Sequence, residues 1–479
     1  MGGILYEVNA RVWLRELSER AGQNITLAEV PEEEIRRWVE LGFTHIWLMG
    51  VWQVGPKARE IALKYWREYW RKEIPSREED VQGSPFAIQE YAVDARVGDA
   101  LSLLMFKERL GRAGLRLIVD FVPNHLGIDS TEPQRFPARF VHASEPRPGT
   151  FEAEARFGKR YFAHGRDPHF PPWSDTVQLD YRVAETHQVM TAVAQTASMY
   201  ADGLRCDMAM LLLPEIFNET WRDFPCQGAH QTNANFWRKT IAAVRQLQPQ
   251  AELIAEAYWD REAELQELGF DFTYNKRVTD YLARGQYREL KGFLGKCSAN
   301  YLRRSVHFLE NHDEARAASV FTLEKHKAAA ALILFSPGLA LLHDGQLEGR
   351  KNFARIQMNQ CAEEKADPEI SAFYEALLRT LQKTHVRRGR ASLVEFEGDT
   401  TVVGVKWEGP NDEWDLAIVN LGRAEERVQL PAEMLASVEG EASVMYSSRP
   451  AEQRIEGAGV QLVLPAESAY ILRWKNGSN

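Results

Sequence analysis

The sequence predicts an α/β protein: a (β/α)8 TIM barrel, a small domain inserted after the third strand, and a C-terminal antiparallel β-sandwich domain. Three observations carry that prediction. Short apolar, β-rich runs alternate with longer amphipathic stretches, as parallel strands alternate with helices. Eight such units occupy roughly 380 residues, whereas a bare barrel needs about 250, so the surplus must sit in insertions. After residue 390 the texture changes to period-two alternation broken by glycine turns.

The predicted barrel strands, in order, are 4–9, 43–49, 115–122, 203–210, 252–258, 270–274, 305–310 and 339–343. A helix is expected over 31–42, where Pro31 suits the first turn, the glutamates favour the positive end of the dipole, and Gly42 suits the stop. A second is expected over 99–114, with Leu101, Leu104 and Leu110 as its apolar stripe and Gly114 as its end. The segment 53–82 contains K-Y-W-R-E-Y-W-R-K, read as a helix with an aromatic face on the barrel rim. Residues 126–180 are rich in Pro, Phe, His and Arg without helical period. They follow the third strand at the barrel's C-terminal face, where active sites are built. The expected domains are therefore 1–125 with 181–388 (barrel), 126–180 (insertion) and 389–479 (β domain).

Composition excludes several function classes. The 479 residues are 44% hydrophobic and 26% charged, which rules out disorder, and no apolar run is long enough to span a membrane. Net charge is −10, from 68 acidic and 58 basic residues, and the one Lys/Arg-dense stretch, 57–72, is mixed with acids and aromatics; no nucleic-acid partner is expected. Cys206, Cys226, Cys297 and Cys361 are widely spaced with no C-x-x-C, fitting reduced thiols. The opening M-G-G-I-L-Y-E-V-N-A has no basic n-region, no signal-length apolar run and no myristoylation Ser/Thr, so a cytoplasmic location is expected.

Three buried-looking strands end on an acid: Asp207 in G-L-R-C-D, Glu256 in L-I-A-E and Asp313 in F-L-E-N-H-D. One charge beside a core can be a structural ion pair; three converging on one barrel mouth point to a site. Arg205 stands two residues before Asp207, hence on the same strand face, where it can hold that carboxylate ionised. Paired carboxylates suit glycoside hydrolysis, in which one acid stays ionised and the other protonated, about 5–5.5 Å apart when configuration is retained.

At these strings the sequence resembles the α-amylase superfamily, glycoside hydrolase family 13. D-F-V-P-N-H (120–125), G-L-R-C-D-M-A (203–209), A-E-A-Y-W (255–259) and E-N-H-D (310–313) are similar to the family's four main strand-end motifs, in order. The resemblance implies Asp207 as nucleophile, Glu256 as general acid and then base, and Asp313 as the aspartate that holds the sugar's 2- and 3-hydroxyls. It further implies that Arg205 orients Asp207, that His125 and His312 donate to the sugar, and that Asp120 supports the base of the site. Phe86, in G-S-P-F-A-I-Q-E-Y, takes the family's aromatic stacking position, Arg316 a position near the same subsite, and Tyr258 a sugar-facing one.

Some positions depart from the family's patterns. Ala87 replaces the aspartate of exo-acting oligoglucosidases, Met208 is neither the Val linked to α-1,6 nor the small residue linked to α-1,4 specificity, and the Lys-His pair of many α-amylases is missing. The A-M-L-L-L run after Met208 is read as core, as are His169, Phe170 and Trp173 of the insertion. Asn124 matches a calcium-ligand position, but other usual ligands are lacking, so no metal or other cofactor is expected. The expected function is retaining hydrolysis of α-linked glucose oligosaccharides. Alternatives are an α-transglycosidase (glucanotransferase or sucrose-phosphorylase-like) and, remotely, a non-catalytic sugar-binding barrel. No sequence feature fixes an oligomeric state.

Overall fold

The computed structural model describes residues 2–72, 76–156, 158–398, 400–410, 413–431, 434, 442–449 and 460–474. Eight parallel strands close into a barrel: β1 (Ile4–Asn9), β2 (His45–Met49), β3 (Arg116–Phe121), β4 (Gly203–Cys206), β5 (Glu252–Ala255), β6 (Phe272–Tyr274), β7 (Ser305–His307) and β8 (Leu339–His343). Each falls inside a predicted run. The runs at 203–210, 252–258 and 305–310 overshoot: β4 and β5 end directly before Asp207 and Glu256, and β7 already ends at His307.

Side-chain alternation divides each strand between two cores. Leu5, Trp47, Ile118, Ile254, Phe272, Val306 and Leu341 fill the barrel interior, while their neighbours pack outward on the helices. Stepping two residues further along the inward face gives Glu7, Asp120, Glu256, Tyr274 and His343. The apolar interior thus ends in a polar layer at the C-terminal mouth, and register sets its neighbours: Glu7 beside Trp47 and His343, Arg205 beside Asp120.

The helix Glu32–Glu40 follows Pro31 with three glutamates in its first turn, and the chain turns at Gly42 with φ +79°. The helix Ala100–Arg112 is capped by Asp99, whose side chain accepts from the Ser102 amide at 2.7 Å. Its buried stripe is Leu103, Phe106 and Leu110, not the predicted Leu101, Leu104 and Leu110: Leu101 is 63% exposed. At about 100° per residue Leu101 and Leu104 lie nearly opposite Leu110, so the predicted set is not one face, and the side shared by Leu103, Phe106 and Leu110 is the one buried. The helix Pro56–Glu68 buries Ala62, Leu63 and Trp66 against Val81 and Met358 and leaves Tyr65 and Tyr69 exposed. Residues 73–75 of that insertion, like parts of 389–479, lie outside the described residues.

Between β3 and the helix Ala184–Met199 the inserted segment forms short antiparallel pairs, His125–Gly127 with Thr176–Gln178, and Thr150–Ala153 with Arg160–Ala163. Phe140, Val141, Phe162 and Val177 are buried there. Phe170, read as core, is 69% exposed, and His169, read likewise, is exposed too, so both readings are corrected: they end a turn held by Asp167, whose carboxylate accepts from the His169 and Phe170 amides, and lie at the surface.

Beyond the barrel a five-stranded antiparallel sheet (Arg390–Val394, Val402–Glu408, Trp414–Asn420, Ser468–Trp474, Ser443–Ser447) faces a two-stranded one (Glu426–Gln429, Gln461–Leu464). Leu416, Ile418, Tyr470 and Leu472 fill the space between the sheets; Val403, Val405, Val419 and Ile471, on the opposite face, join the barrel's outer core. Among the described residues no helix is long and apolar enough to cross a membrane.

Candidate active site

The polar layer is organised around Arg205. Its Nη1 lies 2.7 Å from Asp207 Oδ1 and 3.6 Å from Asp120 Oδ1, and its Nη2 lies 2.7 Å from Glu256 Oε2. The guanidinium also lies 4.9 Å from the Trp47 ring and 5.3 Å from the Phe86 ring. One buried cation therefore serves three carboxylates, and the sequence expectation that Arg205, Asp207, Glu256 and Asp120 converge holds in space. Asp120 is further held by the Trp47 indole N–H at 3.2 Å.

Backbone geometry explains how Glu256 is fixed. Directly after Asp207, Met208 adopts φ +42°, uncommon for a residue with a Cβ, and this turn aims its amide at Glu256 Oε2, 2.8 Å away. Tyr258 donates its hydroxyl to the other oxygen, Oε1, at 2.8 Å. Trp259 and Asp260 also have positive φ, +61° and +62°, so backbone strain gathers just behind both acids. Met210, Leu211, Leu212 and Leu213 are buried, as the reading of that run as core requires.

Asp313 enters from the loop after β7. Half of its side chain is exposed, and Oδ2 lies 3.1 Å from His312 Nε2. The His312 ring packs 5.2 Å from Phe86 and 5.5 Å edge-on to Trp47, and its Nδ1 lies 2.6 Å from Glu7 Oε1. Glu7 is a functional candidate that the sequence reading passed over. The signal was present: an acid at an inward position of I-L-Y-E-V-N is as anomalous as the three strand-end acids.

Environment drives the carboxyls apart. Burial pushes Glu256 up to about 7, with the Arg205 charge opposing and Asp207 adding to it. Burial likewise raises Asp120, to about 7, and raises Asp207, whose shift Arg205 restrains through both charge and hydrogen bond. For Asp313 the surrounding protein also favours the neutral form, but the His312 charge and hydrogen bond outweigh it and the carboxyl is lowered. The site thus contains two carboxyls raised to about 7, Glu256 and Asp120, a raised Asp207 that Arg205 restrains, and Asp313 held ionised.

Two predicted residues remain: His125, whose ring bonds the backbone of Phe86 beside the site, and Arg316, which is committed to Glu310. His125 is buried in the strand His125–Gly127, with Asn124 Nδ2 at 3.3 Å and the Trp173 ring at 5.2 Å; burial lowers its pKa to about 4, leaving it neutral. Arg316 was expected to face the sugar. Instead its Nη1 binds Glu310 Oε1 at 2.7 Å, His343 Nδ1 at 2.9 Å and the Asp344 carbonyl at 2.7 Å. Glu310 is wholly buried and needs a counter-charge, which commits this guanidinium. Trp173 packs on His125, and His169 lies edge-on to Trp259 at 4.9 Å.

A family model described as the α-amylase catalytic domain matches residues 38–388. The chain belongs to the α-amylase family. Over 271 residues it is 24% identical to the 1,4-alpha-glucan branching enzyme GlgB of Synechococcus sp. (strain JA-2-3B'a(2-13)), covering 53% of this chain but only 30% of that protein. Among solved structures it is similar to a noncanonic maltogenic α-amylase, AmyB, from Thermotoga neapolitana (TM-score 0.71, 20% identity, 99% of each chain). It is also similar to the Geobacillus thermoleovorans α-amylase GTA complexed with acarbose (0.70, 17%, 99% of each). The Nostoc punctiforme debranching enzyme is a further neighbour (0.68, 14%, 98% of this chain and 97% of that one).

For the calcium position familiar from many α-amylases, this α-amylase-family chain offers a poor fit. Both the Asn124 carbonyl and its Oδ1 accept from Gln178 Nε2, at 2.8 and 3.1 Å, so a cation there would meet an amide donor. Among the described residues no group of three or more His, Cys, Asp or Glu is arranged to hold a metal.

Proposed function

We propose that the protein hydrolyses α-linked glucose oligosaccharides with retention of configuration. The observation that supports this reading best is the single Arg205 guanidinium 2.7 Å from both Asp207 and Glu256, which keeps the two carboxyls as close neighbours, as a covalent intermediate requires. Asp207 attacks the anomeric carbon while the glycosidic C–O bond breaks and Glu256 passes its proton to the leaving oxygen. The resulting glycosyl ester is cleaved when Glu256, now a carboxylate, takes a proton from water, whose oxygen displaces Asp207. Asp313, with His312, holds the sugar hydroxyls and favours the flattened transition state. Phe86 offers an apolar ring beneath the sugar. No step requires a metal, and a chelator is expected to leave the rate unchanged. The four unpaired cysteines fit a reducing cytoplasm.

Transfer to a sugar hydroxyl is the second reading, favoured by the branching enzyme among the relatives; it shares the ester and differs only in the acceptor. A panel of maltose, isomaltose, trehalose, sucrose and longer glucans, with products identified and the first-formed anomer assigned, tests both. An α-anomer released first supports retention, products longer than the substrate mean transfer, and inertness on the whole panel would sink the glucan reading. Asp207→Asn should lower kcat by about 10⁴-fold or more; a loss within tenfold refutes the nucleophile assignment.

A further inference from the structure

Glu7 sits at an inward position of β1 with none of its surface exposed, and its Oε2 has no hydrogen-bond partner. Burying a carboxylate is costly, and one with a free oxygen more so. Leu5, two residues earlier on the same face, and Leu341 across the ladder show what a stable barrel puts at such positions. A fully buried acid kept there at a loss in stability calls for a use, and the geometry supplies one. Glu7 Oε1 lies 2.6 Å from His312 Nδ1, and the opposite ring nitrogen, Nε2, lies 3.1 Å from Asp313 Oδ2.

We propose that Glu7 is a positioning residue for the sugar-binding aspartate: its carboxylate fixes the His312 ring and, through that ring, the carboxylate of Asp313. This rests on the functional reading above, in which Asp313 grips the sugar. Carboxylate, imidazole and carboxylate stand in one line from the closed interior to the open mouth. Nδ1 donates to Glu7, while Nε2 faces Asp313 Oδ2 at 3.1 Å as an ion-pair contact outside hydrogen-bond geometry, so a ring flip would break the Glu7 bond and the pairing with Asp313. Trp47, edge-on to the ring, and Phe86, tilted across it, restrict it further. The charged groups acting with or on His312 are Glu7 from β1, Asp120 from β3, Arg205 and Asp207 from β4 and its end, Asp313 beside it, and, through Glu7 and Asp313, His343 from β8. Burial favours the neutral ring, but the charges of Asp313 and Glu7 raise His312 well above its ordinary range, in keeping with an imidazolium that faces an acid on each side.

Two readouts test the proposal. In protein labelled at the histidine ring nitrogens, with His312→Gln to assign the resonance, both His312 nitrogens should stay protonated over the pH range in which an ordinary imidazole loses one proton. In Glu7→Gln, which keeps the shape and loses the charge, one nitrogen should lose its proton within that range, while Glu7→Asp should behave like the unaltered protein. A His312 that titrates near its ordinary pKa in the unaltered protein overturns the proposal without any Glu7 variant having to fold. Kinetically, Glu7→Gln should lose about 10- to 100-fold in kcat/KM, the range known for carboxylates that orient metal-binding histidines, with a changed pH profile. A lowered melting temperature with ring state and pH profile unchanged would make Glu7 merely structural and overturn the assignment. If the unaltered protein is inert on every glucan, the functional reading fails, and the ring measurement alone then decides for or against Glu7.

Discussion

Glu256 carries a pH prediction whose sign follows from its surroundings. Burial raises its carboxyl from an ordinary 4.5 to about 7. As general acid it must be protonated, so kcat/KM should fall as pH rises through about 7, and Glu256→Gln should remove this limb together with most of the rate. Stability follows the same proton. Between the two values the folded chain binds a proton that the unfolded chain has released, so this group's contribution is full below the ordinary range and is lost as pH rises toward about 7. The melting temperature of Glu256→Gln relative to the unaltered protein should therefore rise from pH 5 to pH 8; a difference that stays constant refutes the raised carboxyl. At this scale much of the site was legible, because charges at the ends of apolar strands are anomalies that composition cannot hide. Partners that speak through the backbone were not: nothing in the identity of Met208 announces that its amide meets Glu256. Arg316 was misplaced for a related reason, since the motif supplies its position but not Glu310 as its partner.

For single elements, period and caps located the helices, while the choice of buried face depended on contacts that the sequence does not contain. Ala100–Arg112 carries leucines on two nearly opposite sides, Leu101 with Leu104 and Leu103 with Leu110, and the barrel takes the side that includes Phe106. Leu103→Ala should destabilise by about 2–5 kcal/mol, the range for a large-to-small change in a core. Leu101→Ala should change stability by no more than about 0.5 kcal/mol. Equal losses in urea unfolding would mean that the helix is turned the other way. The strands were legible in order and number because alternation between two cores leaves both faces apolar until the mouth. Their C-terminal limits were not, because an acid that follows a strand and an acid that ends one read alike.

Across the whole molecule, barrel and β domain share one packed layer. The helix Leu323–Phe335 is buried nearly all round, and its run Ala328–Ala331 is fully enclosed. It packs on the strands Trp414–Asn420 and Ser468–Trp474, and the Trp407 indole donates to the Phe335 carbonyl at 3.1 Å. Arg387 ties the same seam from below. Its Nη1 donates to the Leu334 and Ser336 carbonyls at 3.1 and 3.0 Å and its Nη2 to the Gly3 carbonyl at 2.6 Å, joining the end of that helix to the entry of β1. Four consecutive alanines allow backbones on two sides to approach closely, which a larger side chain would forbid. Ala330→Leu should therefore cost about 1–3 kcal/mol by overpacking. Because the helix belongs to both cores, that loss should lower the unfolding of barrel and β domain together, as one calorimetric transition shifted downward. Two transitions, only one of them moved by the substitution, would mean that the seam is a contact between independently stable domains; one shifted transition means that the β domain completes the barrel's core.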